Sequence, residues 1–176
     1  FRRVLFRSFP YRAFEELTVQ DLVIAPGLPT IFAIDVSVTK RDASLVDGQM
    51  REDGTMAVGL IAQFHSDQQV DELKIAVEVN EWARKYRPKL ICYDKYTSMT
   101  IAERLALSGQ KIQDMSGIVF YQACSDLLDS IVNKRLIHAG QMPLVNSINS
   151  CAAKETDAGW RIVRRKSAGD VSRSEE

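Results

Sequence analysis

Three aspartates of this 176-residue chain, Asp35, Asp94 and Asp170, each stand in or beside a segment whose composition predicts a strand. A carboxylate is seldom placed there unpartnered, because desolvating the ion costs several kcal/mol. Two or three aspartates converging from separate elements can hold a hard divalent cation such as Mg²⁺ or Mn²⁺ and leave coordination positions for phosphate oxygens. The plainer account of the spacing is that each aspartate caps a helix or pairs with one of the many arginines. Arg165 and Lys166 lie five and four positions before Asp170, where a phosphate held by such a site would be.

The other reactive residue types form weaker patterns. His65 follows a predicted strand and reads as a surface or hairpin residue, and His138 follows a predicted helix as a C-cap or an outer support. They form no H-x-x-x-H pair. Cys92, Cys124 and Cys151 are odd in number and lack C-x-x-C spacing, so neither a disulfide framework nor a zinc site is indicated and reduced, intracellular thiols are expected. Cys92 reads as core packing, Trp82 and Trp160 as core or edge packing rather than base-stacking platforms, and Asp42 as a turn residue.

Positioning the three aspartates falls to a predictable set of elements. Ile31-Phe32-Ala33-Ile34-Asp35-Val36-Ser37-Val38 is dense in β-branched and aromatic residues and predicts a strand. Alternation puts Phe32, Ile34, Val36 and Val38 on one side and Ala33, Asp35 and Ser37 on the other. Residues 44–50 and 55–64 predict two more strands, with Asp53-Gly54 marking the tight turn between them. Apolar residues at helical spacing over 69–86 end at Pro88. Lys89-Leu90-Ile91-Cys92-Tyr93-Asp94 then reads as a buried parallel strand closed by a carboxylate. Beyond it the pattern predicts helices over 100–107, 120–136 and 142–153, a brief strand at 111–115 and another at 160–164. Asp35 and Asp94 are thereby expected on adjacent parallel strands near the centre of one sheet.

The composition suits one domain: 45% apolar residues, 26% charged residues, and no apolar run near the roughly 18–20 residues of a membrane helix. With 23 basic and 23 acidic side chains, no global field draws the molecule to a polyanion, so any such site must be local. Residues 1–29, closing on Ala25-Pro26-Gly27-Leu28-Pro29, read as a linker or N-terminal extension, and residues 30–176 as the domain. The fold class expected is α/β, a mixed sheet of a three-stranded antiparallel meander plus parallel strands, flanked by helices.

Five segments in one order carry a resemblance. Phe32-Ala33-Ile34-Asp35-Val36-Ser37 with Lys40-Arg41-Asp42-Ala43-Ser44 resembles the opening of the nuclease domain of tailed-phage large terminases, which has a ribonuclease H-like fold. Ile91-Cys92-Tyr93-Asp94 is similar to that family's second acidic strand. Leu136-Ile137-His138-Ala139-Gly140-Gln141-Met142-Pro143 resembles its H-G-x-x-P stretch, and Asn149 follows it as the family's asparagine does. Val163-Arg164-Arg165-Lys166-Ser167-Ala168-Gly169-Asp170 is similar to its closing segment. The resemblance implies a metal-dependent DNA endonuclease that cuts concatemeric DNA during genome packaging. Asp35, Asp94 and Asp170 would hold two Mg²⁺ or Mn²⁺ ions, and Arg165 and Lys166 would contact DNA. It also implies double-stranded DNA, a motor ATPase domain, a small terminase subunit and a portal as partners, no membrane, and the bacterial host's cytoplasm as the location. Two departures accompany it: no G-x-x-x-x-G-K-[ST] phosphate loop occurs, and the family's final apolar helix has no counterpart after Asp170, which predicts a loosely held third ligand. The rival expectations are a catalytically silent module of the same fold that binds DNA or docks, and another ribonuclease H-like nuclease such as a resolvase or transposase.

Overall fold

Period-two alternation after Pro29 produces a strand with one fully buried face, and the rest of the fold is laid against it. In the computed structural model, which describes residues 6–7 and 9–164, β1 is Phe6–Arg7, followed by a 3-10 turn at Glu15–Leu17. Strands β2 (Thr30–Val36), β3 (Asp42–Met50) and β4 (Met56–His65) form the meander. Then come α1 (Glu72–Tyr86), β5 (Leu90–Tyr93), α2 (Lys95–Leu107), β6 (Ile112–Asp114), α3 (Ile118–Val132), β7 (Leu136–His138), α4 (Met142–Ser150), β8 (Cys151–Thr156) and β9 (Gly159–Arg164).

Six strands form one sheet in the order β6-β5-β2-β3-β4-β7. β2, β3 and β4 pair antiparallel, β5 runs parallel to β2, β6 parallel to β5, and β7 parallel to β4. Phe32, Ile34 and Val36 on β2, with Ala43 and Leu45 on β3, are buried together with Ile75, Val79 and Ala83 of α1 and Ile101 and Leu105 of α2. A second cluster joins Phe14 and Leu17 of the N-terminal segment to Ile131, Leu136 and Val145, with Val58 packed against it. Asp71 starts α1 by accepting from the backbone N–H groups of Leu73 and Lys74. The helix ends where Arg87 turns left-handed at φ 48°, just ahead of Pro88.

Ladder irregularity is closed by a side chain. Between Leu45 and Val46 the β3–β4 register shifts, leaving Ile61 as an extra residue on β4. Past the last β7 pair, Val58 with His138, the Gln141 amide accepts from Leu60 N–H at 2.7 Å and donates to Leu60 C=O at 2.8 Å.

Three helices start or stop at other residues than the sequence predicts, and one hairpin is added. Helix α2 begins at Lys95 rather than residue 100, because Asp94 caps it, and it bends at Ser98, whose φ is −127°. The helix expected over 120–136 stops at Val132, and Lys134 at φ 55° turns the chain so that Leu136 enters β7. The helix expected over 142–153 stops at Ser150, and residues 151–153 belong to β8. β8 and β9 form a hairpin that, with β1, makes a separate three-stranded sheet. No described helix is long and apolar enough to cross a membrane.

Candidate active site

Asp35 is the penultimate residue of β2 and lies on the face opposite Phe32, Ile34 and Val36, where it is exposed. Its cross-strand partner on β3 is Ser44. On the other side, the parallel ladder pairs Ala33 with Cys92 and Ile34 with Tyr93. The next step of that register sets Asp35 beside Asp94, on strands spaced about 4.8 Å apart. β2 and β5 are interior strands of the six, so two of the three expected acids follow neighbouring ladder positions at the C-terminal ends of adjacent parallel strands. Open α/β sheets bind their ligands at that end.

Asp94 also caps a helix. As N-cap of α2, its Oδ1 accepts from the Tyr96 N–H at 2.8 Å. Helix capping, the plainer reading of that aspartate, therefore holds for one of its oxygens.

Asp114, which the sequence reading passed over, is a third carboxylate on this edge. It ends β6 and pairs with Tyr93. Its Oδ1 accepts from the N–H of Ser116 at 3.0 Å and of Lys95 at 3.3 Å, and its Oδ2 accepts from the Ser116 hydroxyl at 2.9 Å. The Ser116 and Lys95 groups hold its carboxyl below the usual carboxylate range. Asp114 is thus spent on shaping the loops around Asp94. Its sequence signal was weak, since β6 is Ile112-Gln113-Asp114 with one apolar residue ahead of the aspartate.

The turn after β2 is pinned from the other side by Lys40, which sits at φ 59°. Its ammonium pairs with Glu72 Oε1 at 2.9 Å and donates to the Thr97 carbonyl. The turn that follows Asp35 is thereby tied to α1 and to the first turn of α2.

Asp35 and Asp94 supply the oxygen donors that a hard divalent cation takes. Among the described residues no group of three His, Cys, Asp or Glu side chains is arranged to hold a metal ion. Asp170, Arg165 and Lys166 lie outside the described residues.

The remaining sequence candidates serve structure. His65 is exposed and bonded through Nδ1 to Asp42 Oδ1 at 2.7 Å and lies 3.4 Å from Asp67, contacts that raise its pKa. His138 is not a residue after a helix: it lies within β7, fully buried, stacked on Phe14 with ring centroids 3.9 Å apart. Its Nδ1 accepts from Gly140 N–H at 3.0 Å, so the proton sits on Nε2, which donates to the Phe14 carbonyl at 2.7 Å. Asn149 donates to Glu15 Oε1 at 2.7 Å and ties α4 to the N-terminal turn. Cys92 is half-buried, and burial pushes its thiol pKa up. Trp82 stacks on Tyr86 at 5.9 Å.

A meander continued by parallel strands, with carboxylates at the ends of the adjacent parallel strands β2 and β5, is the ribonuclease H-like arrangement. No protein-family model matches the sequence, and no curated protein is significantly similar to it. Solved structures are similar in fold. The large terminase of bacteriophage HK97 superposes with TM-score 0.72 at 13% identity, covering 91% of this chain and 40% of that one. The large terminase nuclease from thermophilic phage G20c gives 0.68 at 12% identity, covering 91% of this chain and 88% of that one. The same nuclease with bound magnesium gives 0.65 at 12%, covering 90% and 87%. The chain thus has the fold of phage large terminase nuclease domains and spans about two fifths of the length of the HK97 large terminase.

Proposed function

We propose that this chain is the nuclease part of a phage-type large terminase, a metal-dependent endonuclease that hydrolyses phosphodiester bonds of double-stranded DNA during genome packaging. The observation that carries the reading is the register of β2 against β5, which brings Asp35 and Asp94 to one level at the C-terminal edge of a terminase-nuclease fold. Asp35 and Asp94 would hold the metal, with Asp170 as a third donor. Bound there, two Mg²⁺ or Mn²⁺ ions would supply a water deprotonated near neutral pH and charge neutralisation at the leaving 3′ oxygen. The chain's own part is geometric. Asp35 presents its carboxylate from a rigid central strand, Asp94 keeps one oxygen on the α2 backbone while offering the other, and Asp114 and Lys40 fix the flanking loops. Arg165 and Lys166 would grip the strand through its phosphates, which carry no sequence information, so weak sequence preference follows. In a full large terminase, a motor ATPase domain, a small subunit and a portal would be the partners.

The N-cap bond of Asp94 favours a second reading, in which the domain binds DNA without cutting it. Relaxation of supercoiled plasmid separates the two. Nicking that needs Mg²⁺ or Mn²⁺ and disappears in Asp35→Asn supports the nuclease. Salt-sensitive DNA binding with no nicking at any concentration of either metal supports the binding module.

A further inference from the structure

The face of the sheet opposite Asp35 carries a different acidic site. Between β3, β4, residues 22–24 and the C-terminal half of α1 lies a cavity of about 310 Å³, with Leu22, Asp47, Gln49, Trp82, Tyr86 and Gln141 in its wall. Asp47 shares the Leu45 side of β3, and its ladder neighbours are Phe32 and Gly59. It is 5% exposed, and its Oδ1 is buried without a hydrogen-bond partner among the described residues. The other polar side chains of the wall are committed. Gln49 accepts from Ala25 N–H at 2.8 Å and donates to the Ala25 carbonyl at 2.9 Å and to Thr30 Oγ1 at 2.8 Å, while Gln141 closes Leu60. Gly59 lets the carboxylate lie against the β4 backbone, since an added Cβ there would stand 2.7 Å from Asp47 Oδ1.

We propose that this cavity binds an organic cation, an ammonium or guanidinium group that pairs with the Asp47 carboxylate. A buried carboxylate needs a donor carrying opposite charge to offset its desolvation, and water supplies only the donor. Burial pushes the Asp47 pKa up to about 6, so at pH 7 the unpaired group is mostly ionised. A bare divalent ion would need six or more oxygen ligands where one carboxylate and two committed amides are present. An alkylammonium or alkylguanidinium brings its own donors for Asp47 and an apolar stem that suits Leu22 and the Trp82 and Tyr86 rings. This site stands apart from the proposed nuclease site and does not depend on it.

The test follows the Asp47 side-chain carboxyl by ¹³C NMR at pH 7. Propylammonium, ethylguanidinium and neutral propanol are titrated in, together with short blocked peptides holding one Lys or one Arg. Cations are expected to give a saturable shift and to lower the Asp47 midpoint below about 6, whereas propanol does neither. Asp47→Asn, and Gly59→Ala as a second variant, each shown folded by near-UV circular dichroism, should weaken cation binding about tenfold or more. Peptides binding about tenfold tighter than the small cations would identify a protein side chain as the occupant. Equal or weaker peptide binding would identify a free amine. The proposal is overturned if no cation gives a saturable shift, if propanol matches the cations, or if folded Asp47→Asn binds them as the parent does.

Discussion

Replacing Asp94 by asparagine and, separately, by alanine divides its capping task from the chemistry proposed for it. The cap is one bond, Oδ1 to Tyr96 N–H at 2.8 Å, and asparagine caps nearly as well as aspartate, whereas alanine loses about 1 kcal/mol, within a range of about 0.5–2. Loss of the negative charge costs asparagine at most another ~0.5 kcal/mol at the helix N-terminus. Relief of repulsion from Asp35 and Asp114 on the neighbouring strand ends works in the opposite direction. Asp94→Asn should therefore melt within about 2 °C of the parent and Asp94→Ala about 2–4 °C lower, the shift expected for ~1 kcal/mol in a domain of this size. If the carboxylate holds a metal ion, both variants lose plasmid nicking alike despite their different stabilities. If it only caps, nicking follows the cap: asparagine keeps it, and alanine keeps it well below its melting temperature. A folded Asp94→Asn protein that nicks at the parental rate would refute the metal-ligand role.

The same assay serves the other acid: Asp35→Asn, exposed on its strand, should abolish nicking while changing stability by less than about 0.5 kcal/mol in urea unfolding. His138→Ala should do the reverse. It removes a ring stacked on Phe14 and orphans the Phe14 carbonyl, costing about 2–4 kcal/mol, with nicking retained below the lowered melting temperature, and loss of nicking in a fully folded variant would sink the structural role. Asp47 predicts a pH effect. Its folded pKa of about 6 lies above the ordinary 3.8, so the folded state holds the proton more tightly and stability falls as pH rises through that window. The shift corresponds to about 3 kcal/mol, so in amine-free buffer Asp47→Asn should gain on the parent by up to that amount between pH 3.5 and pH 7.5. A pH-independent difference between the two proteins would show that Asp47 is not buried as described. Lys40→Met should lower nicking at saturating metal while costing about 1 kcal/mol of stability, because the turn after Asp35 loses its tie to Thr97.

Legibility in the sequence tracked how far each element depends on local signals. The meander was readable because alternation and Asp53-Gly54 are local, and α1 because Asp71, the apolar spacing and Pro88 bracket it. The parallel pairing of β2, which carries Asp35, with β5, which ends just before Asp94, followed from the right-handed crossover through that helix. β7 was hidden because three residues carry no period, and its ladder comes from the free edge of β4 at Met56 to Val58. The start of α2 was hidden because Tyr96, Thr97, Ser98 and Thr100 are weak helix formers, and the turn they make leans on the Asp94 cap and the Lys40 clasp. The stacking of His138 on Phe14 joins residues 124 positions apart and left no local mark. The β8–β9 hairpin did leave one, the Asp157-Ala158-Gly159 turn signal, but Cys151-Ala152-Ala153 reads as the end of the preceding helix.

Asp47 was legible by parity alone. Ala43, Leu45, Asp47 and Gln49 alternate along β3, and since Ala43 and Leu45 face the core, the acid two residues on must face it as well. Asp35 obeys the same rule with the opposite outcome. An odd step from Ile34 and Val36 puts it on the outer face, where it remains exposed. One sheet thus carries two carboxylates in contrasting environments. Exposed Asp35 stays hydrated when ionised, which is compatible with the metal-ligand role proposed for it. Asp47 is destabilising while unpaired, and any cation that pairs with it gains the energy that burial withheld. Ligand exchange is therefore expected to be quick at the Asp35 edge and slow in the Asp47 cavity. Relaxation-dispersion NMR on the two carboxyl resonances reads both rates, and faster exchange at Asp47 than at Asp35 would contradict the assignment of burial as the cause.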